Sequence, residues 1–454
     1  MRNPLLAPDL REFVAERDEA GLRDFFHGHH PADAAELLDD LAPDEVIFVV
    51  QLLDGRERAA IFDYLDEDLR DAVAERMNDH DLAALVTYMS HDERAQLMSR
   101  LPVERSDRIY PLLARAERED IRRLQSYEPG TTGSVMTSDY ATVPADDTAA
   151  GAIDRLRHEA PDRETIYYCY VVDEQRHLKG FVSLKNLILA PAQRRVVDVM
   201  QHDCVFAVVD DDAEATARKL GEYDLIAMPV VDHEHRLVGI VTHDDVLDVI
   251  VEEATEDVHR LGGVGPLEDG YLHTPFGVLW LNRALWLSIL FVAGFLTTTA
   301  LAEFEDVFKK IPALVLFVPL IVSAGGNCGS QSATLITRAL ALGELSPRDW
   351  FRVFTHEVLM GLSLGLALGA VGFLRALLTP ADAYPEGDLM RLAGTIGLAV
   401  CVVVLCGNLV GALMPLLLKR MGFDPALMSN PFVASLVDVT GIVTYFALAT
   451  WILF

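Results

Sequence analysis

The chain has 454 residues, 51% of them hydrophobic, and a formal charge of −31. A mean hydropathy of +0.22 excludes a disordered chain and is high for a wholly water-soluble one. The excess of acid excludes the basic footprint that nucleic-acid binding requires, and the length suits about three domains at roughly 150 residues each.

The charge is placed unevenly, with a net −30 on residues 1–270 and a net −1 on residues 271–454. An acidic, polar half therefore precedes a nearly neutral, apolar one. Arginine outnumbers lysine 32 to 6, a balance that fits a high-salt host as well as an acidic binding surface. Cys169, Cys204, Cys328, Cys401 and Cys406 have no ligand-like or CxxC spacing and are expected as free thiols. The N-terminal segment lacks the apolar stretch of a secretory signal, so the acidic half is expected in the cytosol.

Residues 1–130 read as a helical N-domain. Short segments such as HPADAAELLDDL, PDEVIFVVQLLD and SHDERAQLMSRL carry apolar residues at i, i+3 and i+4 and open with Pro, Asp, Ser or Gly. None can bury its stripe alone, which predicts a stacked superhelix serving as scaffold or docking domain.

After Pro129-Gly130 a repeat begins. VVDEQRHLKGFVSLKNLI (171–188) returns as VVDHEHRLVGIVTHDDVL (230–247), each within a helix, strand, turn, strand, helix unit. Residues 131–250 thus resemble a tandem pair of CBS domains, about 135–192 and 198–250. The resemblance implies that Ser183, Thr242 and Asp245 can contact a nucleotide such as ATP. Asn186 stands where that family carries Asp in the first copy, and a sensor pair without nucleotide is the alternative reading.

Residues 245–270 are expected to connect the two halves, with a helix whose Asp245, Asp248, Glu252 and Glu256 form a carboxylate stripe flanked by Glu253 and Asp257. Like charges at this spacing repel. A bound cation would relieve them, and a solvated acidic face in a salty cytosol is the alternative.

Beyond residue 271 five stretches are apolar over the roughly 20 residues that a bilayer requires: about 278–301, 311–342, 351–378, 390–418 and 431–454. The odd count puts the C-terminus on the side opposite a cytosolic N-terminus. In the second stretch Gly325, Gly326, Asn327, Gly329, Ser330 and Gln331 predict an interrupted helix whose backbone lines a conduction path, since broken backbone at membrane depth must face protein or water. A kink is the alternative.

In the last stretch Asn430 reads as N-cap to Pro431, and Asn430, Ala434, Asp438 and Gly441 share a face. Asp438 lies roughly 10 Å into the helix. A carboxylate there costs at least about 2.5 kcal/mol and should meet a cation in a cavity. Glu357 is expected in a salt bridge with Arg338 or Arg352, and the ladder Gly361, Gly365, Gly369, Gly372 in close helix packing. One deep carboxylate among amides and carbonyls is an all-oxygen site that disfavours soft metals and suits a hydrated Mg²⁺ shared between two subunits.

PLIVSAGGNCGSQSATLITRALALGEL together with DPALMSNPFVASLVDVTG resembles the signature of the MgtE family of bacterial magnesium channels, and the order of segments matches over essentially the whole chain. The implied fold is a multidomain membrane protein with an all-α superhelical N-domain, α/β tandem CBS domains and an α-helical transmembrane domain of five spans per subunit. The resemblance implies a homodimer whose pore uses Asp438, Asn430, Ala434, Gly441 and, at the cytosolic mouth, Asp424. Ser330 stands where the family commonly has Asn. It further implies closure by cytosolic Mg²⁺ at Asp212, Glu214, Asp224, Asp245, Asp248, Glu253, Glu256 and Asp257. The expected role is Mg²⁺ import across a bacterial inner membrane, with broader divalent transport (Co²⁺, Mn²⁺) as the alternative. A CBS-regulated anion carrier and a membrane-anchored enzyme rank below it: mid-membrane carboxylates oppose the first, and no Walker loop, Ser/His/Asp arrangement or HExxH supports the second.

Overall fold

The computed structural model describes residues 7–159, 164–267, 271, 272, 274–378, 389–427 and 429–454. The chain divides into two compact units, Met1–Glu253 and Ala254–Phe454.

In the first unit, short helices run from α1 (Ala7–Glu16) to α10 (Arg115–Leu124), none longer than ten residues. Helices this short are marginal in isolation, so each is held by its caps and its buried face. Asp18, Asp54, Asp66 and Asn78 accept N–H bonds from the first turns that follow them, and proline opens α3 (Pro31–Leu38) and α4 (Pro43–Leu52). Leu38, Val46, Phe62, Val73, Leu85 and Leu97 are buried, and the same core continues into Met136 and into Met228, Val230 and Val241 of the second CBS repeat. Asp120 ties the layers together: it accepts from Arg94 at 2.6 Å and Ser138 at 2.7 Å and lies 3.0 Å from His91. These partners outweigh burial and hold its carboxyl below the usual range.

The two CBS repeats share one plan. β1 (Tyr140–Val143) pairs parallel with β2 (Thr165–Val172), which pairs antiparallel with β3 (Leu178–Ser183). β4 (Ala207–Val208), β5 (Ala227–Val231) and β6 (Leu237–Thr242) repeat that order. Matching positions coincide: Val171 faces Gly180 as Val230 faces Gly239, and Tyr168 faces Ser183 as Ala227 faces Thr242. The two hairpin turns pair with each other, Leu178 N–H donating to His235 O and Leu237 N–H to Arg176 O. α11 (Ala149–Glu159) and α12 (Leu184–Leu189) belong to the first repeat, α13 (Ala213–Glu222) to the second. α14 (His243–Leu261) then carries the chain into the second unit.

The second unit contains α15 (Phe276–Glu303), the short α16 (Glu305–Lys310), α17 (Val318–Ala341), α18 (Trp350–Leu377), α19 (Leu389–Arg420) and α20 (Asn430–Leu453). Five of these helices are long and apolar enough to cross a bilayer.

Two expectations need correction. The predicted interruption at Gly325–Gln331 is absent, because α17 is helical from Val318 to Ala341 and the irregular part is the 3₁₀ turn Pro312–Phe317 before it. The glycines serve helix contact instead: a Cβ at Gly407 would lie 2.4 Å from Gly325 O, and one at Gly411 would lie 2.0 Å from Gly329 O. Secondly, the N-cap of α20 is Ser429, and Asn430 is already helical. Ser429 Oγ accepts from Trp286 Nε1 at 3.0 Å, and the side chain of Asn430 is engaged with α17. The connecting helix, α14, ends at Leu261, where Gly262 and Gly263 close it, Gly263 with φ +71°. Residues 268–270 lie outside the described residues.

Candidate cation pathway

Two ladders of small and polar residues face each other across α17 and α20. Gly326, Ser330 and Thr334 on α17, and Asn430, Ala434 and Asp438 on α20, each recur at i, i+4, i+8 and so share one helix face. Ser330 donates to Asn430 O at 3.3 Å. The hydroxyl of Thr334 lies 3.1 Å from Asn430 Oδ1 and 2.9 Å from Ser330 O. A Cβ on Gly326 would sit 3.7 Å from Ala434 Cβ and 3.8 Å from Asp438 Oδ1, so the missing side chain leaves the carboxylate open on that side.

Asp438 is half-buried, and among the described residues it has no hydrogen-bond or ion-pair partner. An unpaired carboxylate in an apolar helix is costly and marks a candidate functional site. Gly441 does not extend this ladder: it packs against Val403 of α19, 3.2 Å from where its Cβ would lie. Gly325 is likewise packed against Val403 and Val437, whereas Asn327 is exposed and donates to Ser323 at 3.3 Å.

Asp424 precedes α20. Its Oδ1 accepts from Ala426 N–H at 2.8 Å, and its other oxygen accepts from Arg260, which also pairs with Glu256. Asp257 lies in the same neighbourhood. Burial first and the Asp424 charge second push its carboxyl above the usual range, against the pull of Arg260 and Arg338.

The remaining predicted acids lie in the first unit, with Glu253 as its last residue. Asp245 accepts from Thr242 N–H at 3.1 Å and from the Thr242 hydroxyl at 2.6 Å. Burial first and Asp92 second push its carboxyl up to about 8. Asp248 is raised by burial and by Asp244. Around them stand N-domain acids without any signal in the sequence: Glu93, raised by burial against the pull of Arg70, which lies 2.9 Å from it, and Asp63, pushed up to about 8 by burial and the Glu93 and Asp92 charges, again against Arg70. Asp212 caps α13 by accepting from Ala215 N–H, Glu214 lies 3.6 Å from Arg218, and Asp224 occupies a turn at φ 50°. Ser183 caps α12 by accepting from Asn186 N–H at 3.1 Å. Thr242 is bonded to Asp244 and Asp245, so the nucleotide-type positions satisfy one another. Among the described residues no three His, Cys, Asp or Glu side chains converge as a metal cage. A Mg²⁺ that keeps its waters needs only one or two carboxylates.

Sequence reasoning missed Thr334, although its i+4 spacing from Ser330 was visible. It also placed Glu357 with a basic partner. The structure pairs Glu357 with Asn408 and Ser332 instead, and among the described residues it forms no ion pair with Arg338 or Arg352.

Five candidate spans with an unpaired carboxylate among them, preceded by a CBS pair, define a polytopic membrane transport protein. Residues 318–448 match the family described as divalent cation transporter, residues 29–130 the MgtE intracellular N domain, and residues 133–192 and 196–252 the CBS domain. The sequence is 40% identical to the magnesium transporter MgtE of Thermus thermophilus over 99% of this chain and 98% of that one. It is 33% identical to the MgtE of Enterococcus faecalis over 74% of this chain and 72% of that one. A crystal structure of the cytosolic domain of the Mg²⁺ channel MgtE in complex with ATP is similar at 36% identity and TM-score 0.51, covering 54% of this chain and all of that one. The soluble part of a magnesium transporter aligns at 30% identity and TM-score 0.52, over 55% and 98% of the two chains. The chain belongs to the MgtE family of magnesium transporters.

Proposed function

We propose that the chain forms, as a homodimer in a bacterial inner membrane with its N-terminal half in the cytosol, a pore that imports Mg²⁺ and closes when cytosolic Mg²⁺ is high. The observation that carries this reading is Asp438, an acid within a span with no partner among the described residues, opposite Gly326 and one turn beyond Ala434. Two copies of Asp438 would supply two charges to a divalent ion that retains its water. Asn430 and the Ala434 carbonyl accompany it on the cytosolic side, Gly326 leaves room for the ion's hydration shell, and Asp424 lies at the mouth.

Closure is attributed to the acids around Asp245 and Asp248 and to Glu253, Glu256 and Asp257, with Asp212, Glu214 and Asp224 as further contacts. Burial of several like charges within one unit disfavours the compact state unless protons or divalent cations neutralise them. Ion binding that prefers the compact state therefore supplies the switching energy. ATP at the CBS pair, near Ser183, Thr242 and Asp245, is a further proposed ligand.

The test is complementation of a bacterium whose growth needs added Mg²⁺ because its own transporters are deleted. The wild-type chain should restore growth at low Mg²⁺, and Asp438→Ala, present in the membrane at equal amount, should not. Restoration by Asp438→Ala would remove the pore assignment.

A further inference from the structure

A second intramembrane acid, Glu357, is not on the pathway, and its surroundings differ from those of Asp438. Glu357 on α18, Asn408 on α19 and Ser332 on α17 are buried at 9%, 2% and 5% relative exposure. Asn408 Nδ2 donates to Glu357 Oε2 at 2.5 Å and lies 3.2 Å from Glu357 O. The Ser332 hydroxyl lies 2.7 Å from Asn408 Oδ1 and 3.1 Å from Glu357 Oε2. One closed group thus joins three helices.

Helix association does not call for this group. α18 and α19 already meet through glycine: a Cβ at Gly365 would lie 2.7 Å from Cys401 O, and one at Gly369 would lie 2.5 Å from Gly397 O. α17 and α19 meet through Gly325, Gly329, Gly407 and Gly411. Such surfaces bring backbones close through packing alone. Hydrogen bonds have direction.

Ser332 lies two residues from both Ser330 and Thr334, about 200° around α17 at roughly 100° per residue. The polar group therefore grips α17 on the side opposite the face that holds Gly326, Ser330 and Thr334 against α20. With side chains about 5 Å from the helix axis, a 20° rotation of α17, on the order of what a lost anchor permits, moves that face by about 2 Å. The Ser330 and Thr334 contacts with Asn430, at 3.3 and 3.1 Å, would not survive it.

We propose that Glu357, through Asn408 and Ser332, is a positioning residue for ion passage: it sets the rotation of α17 and with it the geometry that the ion meets between Gly326 and Asp438. The role is hydrogen bonding and not charge pairing. It rests on the reading that ions pass Asp438.

The test uses the purified full-length protein in liposomes, with Mg²⁺ flux measured against Mg²⁺ concentration and against competing Ca²⁺ and Mn²⁺, normalised to folded protein. Glu357→Gln, which keeps the accepting oxygen, should retain the half-saturating Mg²⁺ concentration and ion preference. Glu357→Leu and Asn408→Leu should each shift the half-saturating concentration by about fivefold, as loss of one or two buried hydrogen bonds implies, and weaken discrimination. The double variant should be no worse than either single one, because both break one group. Ser332→Ala removes only the hydroxyl link and should reproduce the shift where the larger changes prevent folding.

Leu and Ala variants with wild-type half-saturation and ion preference, altered only in the amount of folded protein, would overturn the proposal and leave a packing role. Asp438→Ala is run beside them. Its loss of flux keeps the pore reading whatever Glu357 does, and its normal flux overturns the pore reading together with this one.

Discussion

Gly411→Ala tests the helix contact that sets the position of α17. The added Cβ would lie 2.0 Å from Gly329 O and 2.8 Å from Gly329 C, both backbone atoms that cannot swing aside. Real Cβ contacts essentially never fall below 3.0 Å, so the helices must part by about 1 Å. Overpacking of this kind costs about 1–3 kcal/mol. For a unit of this size each kcal/mol lowers Tm by about 2–4 °C, so the expected fall is several degrees. Gly394→Ala is the internal control: nothing lies within 4 Å of its Cβ, and helix propensity favours alanine by up to about 1 kcal/mol. Thermal unfolding of the detergent-solubilised chain reads both. A Gly411→Ala variant as stable as Gly394→Ala would refute the close α17 to α19 approach, and with it the account of why the glycine-rich stretch is helical.

Asp63→Asn should stabilise the protein increasingly as pH rises. The folded carboxyl is pushed up to about 8 from 3.8, so the stability tied to its proton is fully present below about pH 4 and lost as pH rises through about 8. Asn mimics the neutral acid, so its Tm advantage should be absent near the lower end of that window, grow across it and level off above it; an advantage independent of pH would contradict the burial argument. Arg260→Ala leaves Glu256, Asp257 and Asp424 without their shared cation, so millimolar Mg²⁺ should raise the Tm of the variant more than that of the wild type, and an equal increment would show that Arg260 does not stand in for a divalent ion. Thr334→Val keeps shape but removes the hydroxyl 3.1 Å from Asn430 Oδ1; flux should fall by about two- to tenfold, on the scale of one hydrogen bond, while Tm changes little.

What was legible in the sequence follows from which physics is local. Capped amphipathic segments, the duplicated strand-turn-strand units and the five apolar runs each depend on neighbours a few residues away, and the helices, both sheets and the spans form accordingly. The glycine-rich stretch misled because local propensity disfavours a helix there, whereas tertiary contact with Gly407 and Gly411 rewards the absence of side chains. Asn430 misled in the same way: its side chain is drawn across to Thr334, 96 residues away in sequence, and capping passes to Ser429. The partners of Glu357 and the N-domain acids beside Asp248 are also long-range. The sequence made each residue visible without saying which others it would meet. Asp438 stands out in the sequence because a lone carboxylate deep in an apolar run is anomalous by its cost alone, whatever surrounds it.

The most direct measurement is Mg²⁺ flux through the purified protein in liposomes, with wild type beside Asp438→Asn, which removes the charge and little else, while Mg²⁺ on the cytosolic face is varied. The account predicts flux that requires Asp438 and shuts off as cytosolic-face Mg²⁺ rises. Undiminished flux in Asp438→Asn would contradict it.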